Sequence, residues 1–169
     1  MAQLIKHRAV AVDSWTTLEI GADETTETIA LPTGDVIFPL AVWQARRDEI
    51  ISCHKRIGLL LQAGERVEDV AADLDYFVVV AVAFPKFVDG RGYSTASLLR
   101  QRYRYQGEVR AVGDVLHDQL FFMRRVGFDS YALKDGKNAV YAIESGFGTF
   151  SETYQASTSQ PQPYFRRRA

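Results

Sequence analysis

Charged side chains that could hold a small anion are concentrated in one loop, residues 84–94, whose sequence is FPKFVDGRGYS. Lys86 and Arg91 carry positive charge, and Asp89 lies between them. An arginine binds a carboxylate, sulfate or phosphate through two parallel hydrogen bonds, whereas a lysine adds a point charge. The loop therefore predicts an anion site in which Asp89 and Arg91 are candidate catalytic residues. The candidate ligand-binding residues of the loop are Lys86, Tyr93 and Ser94.

Two later loops contribute charged side chains to the same predicted site. Asp114 follows a predicted strand at 108–112, and Lys134 follows another at 128–133. The carboxyl ends of parallel strands meet at one edge of a sheet, where α/β proteins keep their ligand sites. We therefore expect Asp114 as a third candidate catalytic residue and Lys134 as a further ligand-binding residue, both near Arg91.

A purely structural interpretation accounts for the same residues. Asp89 and Arg91 could pair with each other or with Arg110 and hold the loop, while Asp114 could cap the next helix. Ser94 is predicted to be the N-cap of a helix over 95–105, whose free N–H groups would offer an anion a second hold. Both interpretations stay open for Arg91, whereas capping is the favoured role for Asp114.

The elements that must position these loops alternate between strands and helices. Residues 76–82 are continuously apolar, as is typical of a parallel strand covered on both faces. A helix is predicted over 65–74, and about five βα units are predicted in all. A closed eight-unit barrel needs about 250 residues, so 169 are too few. The prediction is an α/β domain with an open parallel sheet or a partial TIM-like barrel.

The two ends of the chain differ in character from the middle. Residues 1–35 predict a short N-terminal β extension of a single domain that spans 1–155. Residues 156–169, which are rich in Ser, Gln and Pro, predict a flexible tail. Because an open parallel sheet leaves exposed edges, the N-terminal strands or a second subunit could cover them, and a homodimer is expected.

Charge is unevenly spread along the chain. Residues 13–35 contain six acids and no Lys or Arg, whereas residues 86–110 contain six bases and two acids. The favoured interpretation is two solvated faces of opposite sign. The alternative is a pair of complementary surfaces, either within a dimer or toward an anionic ligand.

Composition argues against several classes of function. The net charge of −1 argues against nucleic-acid binding, and no apolar run approaches the ~20 residues of a membrane span. Cys53 is the single cysteine and is expected to be packed, and no metal-ligand spacing or nucleotide fingerprint is present. We expect a cytoplasmic protein with no metal site, whose cofactor, if any, stays unknown.

Several stretches resemble a bacterial family of proteins that are encoded beside sulfite reductase genes and labelled as oxidoreductases involved in sulfite reduction. The matching stretches are Phe84–Ser94, Leu98–Arg100, Arg110–Val115, Asp118–Phe122 and Gly127–Asp129. The resemblance extends over most of the chain, and its central motif is the 84–94 loop.

The resemblance implies a role in assimilatory sulfite reduction. A redox enzyme needs an electron carrier, yet the sequence has no dithiol, cluster ligand set or nucleotide fingerprint. Two functions therefore stay open. The first is an enzyme that binds a small anion at the strand ends, and the second is a non-catalytic accessory or assembly partner of sulfite reductase.

Overall fold

The strands that lie between Leu4 and Ala132 form one curled sheet. We describe residues 3–148 and 152–167 of a computed structural model. Within these ranges the strands are β1 (Leu4–Lys6), β2 (Ala9–Ala11), β3 (Thr16–Thr17), β4 (Val36–Pro39), β5 (Ile57–Leu61), β6 (Phe77–Phe84), β7 (Glu108–Gly113) and β8 (Ser130–Ala132).

Helical segments connect the longer strands. The α-helices are α1 (Leu40–Cys53), α2 (Arg91–Gln101), α3 (Leu120–Val126), α4 (Ala139–Gly146) and α5 (Tyr164–Arg167). Two 3₁₀ helices add Val67–Tyr76 and His117–Gln119.

The order of the strands confirms the predicted fold class. The sheet runs β2-β1-β8-β7-β6-β5-β4-β3, and β4 to β8 pair in parallel with their neighbours in sequence. Each of these five strands is followed by a helical segment, which makes the expected five βα units. Buried residues of α1 to α4 belong to one apolar cluster, so these helices cover one face and the curled sheet is a half-barrel.

The N-terminal extension covers both edges of the parallel part of the sheet. β1 pairs antiparallel with β8 and with β2, whereas β3 pairs parallel with β4. Two ways of covering the sheet edges were possible, the N-terminal strands and a second subunit. The structure shows the N-terminal strands at both edges. The strands left at the two margins are short, which limits further pairing.

The face of the sheet opposite the helices has its own small core. Ile37, Leu60 and Val79 are buried there together with Ala81 and Ala83. Trp15, from the segment between β2 and β3, packs on this cluster. An extended segment of the N-terminal extension therefore covers what would be the interior of a full barrel.

The helix after the 84–94 loop begins earlier than predicted. α2 starts at Arg91 after Gly90, so the prediction that Ser94 caps it is wrong, and Ser94 lies exposed within the helix. The physical reason is Asp89, whose Oδ1 accepts the Arg91 N–H at 3.1 Å and thereby satisfies a donor of the first turn.

Asp114 does not cap a helix either. The residue before the 3₁₀ helix at 117–119 is Leu116, and α3 follows Gln119. The helix predicted over 65–74 is instead the 3₁₀ helix at 67–76.

The C-terminal segment contacts the rest of the domain. The N–H of Thr158 donates to the carbonyl oxygen of Arg125 at 3.0 Å, and its hydroxyl donates to that of Val126 at 3.2 Å. These bonds place part of the predicted tail beside α3, while its mobility in solution stays a prediction. Within the described ranges, no helix has the length and apolar character needed to cross a bilayer.

Candidate functional site

The carboxyl ends of β6, β7 and β8 bring the three predicted loops together. The backbone N–H of Asp114 donates to the carbonyl oxygen of Phe84 at 2.7 Å. Asp114 Oδ2 accepts the N–H of Phe87 at 3.1 Å, and its Oδ1 lies 2.9 Å from Lys134 Nζ. The side chain of Asp114 thus links the loops after β6 and β8, and all three loops lie at one edge, as predicted.

Asp89 and Arg91 form a two-point ion pair. Arg91 Nε donates to Asp89 Oδ1 at 3.0 Å, and Nη2 donates to Oδ2 at 2.6 Å. These hydrogen bonds hold the pKa of Asp89 well below its ordinary value, at about 2. Asp89 is therefore ionised at neutral pH, and two of the guanidinium nitrogens of Arg91 are already engaged.

Asp114 is held in its charged form by the same kind of contact. The hydrogen bond from Lys134 is the largest cause that lowers its pKa, and the N–H of Phe87 acts in the same direction. A general acid or base works best with a pKa near the operating pH. The pKa values of Asp89 and Asp114 are instead lowered, away from neutral pH.

The predicted ligand-binding residues play different roles. Lys86 is exposed, and no ion pair or side-chain hydrogen bond of Lys86 is found among the described residues. Tyr93 packs its ring edge-to-face on Phe84 and on Phe122, with centroids 5.2 and 5.1 Å away. Burial, followed by the charge of Asp118, raises the pKa of Tyr93. Tyr93 is thus a packing residue, and Lys86 is a cation open to solvent.

The 84–94 loop exposes an apolar tip, which we define as Pro85–Val88. Phe87 is 45% exposed and Val88 is 84% exposed. The tip is fastened through the Asp114 contact to Phe87 and is followed directly by the Asp89–Arg91 pair. Two large apolar side chains are therefore held in solvent on a loop with fixed ends.

A buried charge network on the face opposite the helices was missed by the sequence analysis. Arg110 Nη1 donates to both oxygens of Asp13, at 2.8 and 2.9 Å, and its Nε donates to Glu108 at 2.9 Å. Glu108 also accepts from Lys6 at 2.5 Å and from Ser130 at 2.6 Å. Burial raises the pKa of Glu108, but these donors lower it by more.

The alternation of side chains between the two faces of β7 could have revealed this network. Val109 and Ala111 belong to the helix-side core, so Glu108 and Arg110 must point to the other face. The contact of Arg110 with Asp13 also joins the acidic N-terminal stretch to the basic stretch within one chain.

Cys53 and His54 do not form a nucleophile pair. Cys53 is exposed at the end of α1, so the prediction of a packed cysteine is wrong. His54 is buried, and its two ring nitrogens face the carbonyl oxygens of Ile50 and Pro32 at 3.3 and 2.7 Å. Over the described ranges, no cluster of three or more His, Cys, Asp or Glu residues could hold a metal ion.

Fold and site together define an α/β half-barrel protein with paired charges and an exposed apolar tip at its carboxyl edge. Residues 58–165 match the DUF934 family, described as a bacterial protein family of unknown function, and the chain belongs to it. The matched region runs from β5 to α5 and includes all three loops of the candidate site. No curated protein and no solved structure matches the chain.

Proposed function

We propose that this protein takes part in assimilatory sulfite reduction as a non-catalytic partner of sulfite reductase, in the cytoplasm, and that the tip at Pro85–Val88 is its contact surface. The biological role rests on the resemblance, which is centred on the loop that carries this tip. The observation that supports a partner is the exposure of Phe87 and Val88 on a loop with fixed ends.

The chemistry of the edge favours a partner over an enzyme. Asp89 and Asp114 are the candidate catalytic carboxylates, and both are ionised and engaged by cations of their own chain. Catalytic carboxylates that exchange protons usually have a pKa raised by burial or by a like charge. Here the carboxylates instead hold the loops in place.

The properties of the tip suit protein recognition. A loop that is ordered before binding loses less conformational entropy when a partner docks. Aromatic side chains such as that of Phe87 are enriched at protein interfaces, whose polar rim can include a cation. Lys86 supplies the cation, and it would meet an acidic group on the rim of the partner's surface.

The test is a binding measurement between this protein and the sulfite reductase of the same genome. Val88→Asp should weaken binding about tenfold or more, because it places a charge at the centre of the contact. The matched control is Val12→Asp, since Val12 is also almost fully exposed, at 95%, but lies in the N-terminal extension. Phe87→Ala is compared in the same way with Phe165→Ala, whose ring is 58% exposed.

Two results would contradict this proposal. One is the absence of binding by the unmodified protein at concentrations of tens of micromolar. The other is an equal effect of the tip variants and of their matched controls. Either result would mean that the tip is not a contact surface for sulfite reductase, and the proposed role would then rest on the resemblance alone.

A second candidate function is the binding of a small anion at the edge itself. Asp89 engages Nε and Nη2 of Arg91, which leaves Nη1, and Lys86 is unpaired among the described residues. Sulfate, sulfite and phosphate should then bind to the unmodified protein. They should bind less tightly to the Arg91→Lys variant and least tightly to the Arg91→Ala variant. Calorimetric titration measures this, and circular dichroism checks the fold. Unchanged anion binding by Arg91→Ala would eliminate this candidate.

A further inference from the structure

A second region of positive charge lies between α3 and the C-terminal segment. A cavity of about 350 Å³ opens there, and its lining includes Phe121, Arg124, Arg125, Glu152, Ser159 and Arg167. None of its lining residues belongs to the 84–94 loop. Among the described residues, three arginines therefore face one space with a single carboxylate.

The carboxylate is already engaged by one of the three arginines. Arg167 Nη1 pairs with Glu152, and its Nη2 donates to the carbonyl oxygen of Thr153 at 3.0 Å. Arg124 and Arg125 have no ion pair among the described residues. In the part of the chain that the structure describes, the positive charge of these two neighbours is left without a counter-ion.

Both of these arginines also leave a buried donor unsatisfied. The Nε atoms of Arg124 and Arg125 are shielded from solvent and have no hydrogen-bond partner in the described chain. Arg125 is otherwise held, because its Nη2 donates to the carbonyl oxygen of Gln155 at 3.1 Å. Burial and then the charge of Arg8 lower the pKa of Arg124. A buried guanidinium donor without an acceptor is unfavourable and needs an explanation.

We propose that this cavity binds a small organic molecule through a phosphate or sulfate group held by Arg124 and Arg125. A tetrahedral oxyanion offers several acceptor oxygens, which suits two guanidinium groups from consecutive residues. The cavity has the size of a small-molecule site, for which volumes of about 300–1,000 Å³ are usual. The Ser159 hydroxyl and the Phe121 ring then contact the rest of the molecule.

The test uses thermal unfolding and calorimetric titration with inorganic phosphate, inorganic sulfate and phenyl phosphate. Ionic strength is held constant with chloride. A ligand that binds only the folded state raises the melting temperature as its concentration rises. We expect all three probes to stabilise the full chain, with phenyl phosphate binding more tightly than inorganic phosphate because it reaches the Phe121 ring.

The variants locate the site. Arg124→Gln should weaken binding about tenfold or more, and Arg124→Lys should weaken it less, because the charge remains while the planar fork is lost. Arg66→Gln is the matched control, since Arg66 is exposed and faces Glu68 rather than the cavity. Arg124→Gln should weaken binding as much in the Arg91→Ala background, in which any anion held by Arg91 in the 84–94 loop no longer contributes.

Three results would overturn the proposal. The probes could stabilise the protein no more than chloride does, Arg124→Gln and Arg124→Lys could bind as the unmodified chain does, or Arg124→Gln could have no effect in the Arg91→Ala background. Circular dichroism checks that each variant is folded. Because Arg124 makes no side-chain hydrogen bond among the described residues, its replacement should leave the fold intact.

Discussion

Ion pairs decide what each candidate side chain can do. Asp89 with Arg91 and Asp114 with Lys134 are neutralised pairs that hold loops, although their residue types alone would suit catalysis. Arg110, which lies in a basic stretch, is a buried structural residue with a side chain only 3% exposed. The same residue type therefore takes opposite roles according to the carboxylates around it.

The pKa of Asp89 provides a direct test of its pairing with Arg91. A carboxyl whose pKa is lowered by folding stabilises the folded state above its ordinary pKa and loses that contribution as the pH falls. For Asp89 the loss should occur as the pH falls from the ordinary 3.8 through about 2. Titration of the carboxyl carbon by NMR should give a midpoint near 2, and Arg91→Ala should move it toward 3.8. Arg66→Ala is the control, and an unmodified Asp89 that titrates near 3.8 would contradict the pairing.

Replacement of Arg110 should be costly. Arg110→Met removes the counter-ion of Asp13 and one partner of the buried Glu108, so we expect the free energy of unfolding to fall by about 3 kcal/mol. Arg102→Met is the matched control, since its exposed contact with Glu68 should contribute less than about 1 kcal/mol. Urea denaturation measures the free energy of unfolding of both variants. Equal losses of this free energy would show that the buried network stabilises the fold no more than an exposed ion pair does.

The loops at the carboxyl edge are positioned by close backbone approaches as much as by side chains. Gly113 ends β7 with a φ of +98°, and a Cβ at this position would lie 2.5 Å from the carbonyl oxygen of Phe84. The neighbouring N–H of Asp114 donates to that same oxygen. The start of the loop after β7 is therefore in contact with the start of the 84–94 loop, and Gly113 makes this contact possible.

A pair of glycine variants tests this contact. Gly136→Ala, at a φ of +81° in open space, should cost only the strain of a left-handed residue, about 1 kcal/mol. Gly113→Ala adds a steric clash with the Phe84 backbone and should cost about 3 kcal/mol. Chemical denaturation measures the difference between the two variants. Similar losses would mean that the backbone at Phe84 yields easily, and that the edge is less rigid than the contact indicates.

At the scale of the whole molecule, the N-terminal strands cover both edges of the parallel sheet. β1 and β2 extend the sheet beyond β8, and β3 extends it beyond β4. The expected homodimer was based on an uncovered parallel edge, and this reason no longer applies. A dimer stays a proposal that would need another surface.

Removal of residues 1–11 should cause self-association. The deletion uncovers the β8 edge, whose free N–H and C=O groups could then pair with another chain. Light scattering at micromolar concentration should give a larger mass for the shortened chain than for the full chain. Val10→Thr keeps the hairpin and should leave the mass unchanged. An equal mass for shortened and full chains would show that the extension is not needed as an edge cover.

Local sequence patterns were enough to predict the α/β class, the five βα units and the edge at which the loops meet. The continuous apolar run that became β6 indicated a strand buried on both faces, and helical periodicity identified the segments between strands. These features are local, because the repeat of apolar residues directly reflects which side of an element is buried. Chain length and element order left an open parallel sheet or a partial barrel, and the structure is the half-barrel.

The pairing of charged residues and the cover of the sheet became clear from the folded chain and not from its local patterns. Asp13 meets Arg110, Lys6 meets Glu108, and the C-terminal segment closes a cavity with Arg124 and Arg125. These contacts join parts of the chain that are distant in sequence, so no local spacing encodes them. The start of α2 was missed for a related reason, since the Asp89 side chain took the role that residue preference alone had assigned to Ser94. Burial follows from local pattern, whereas electrostatic partners depend on how the chain folds back on itself.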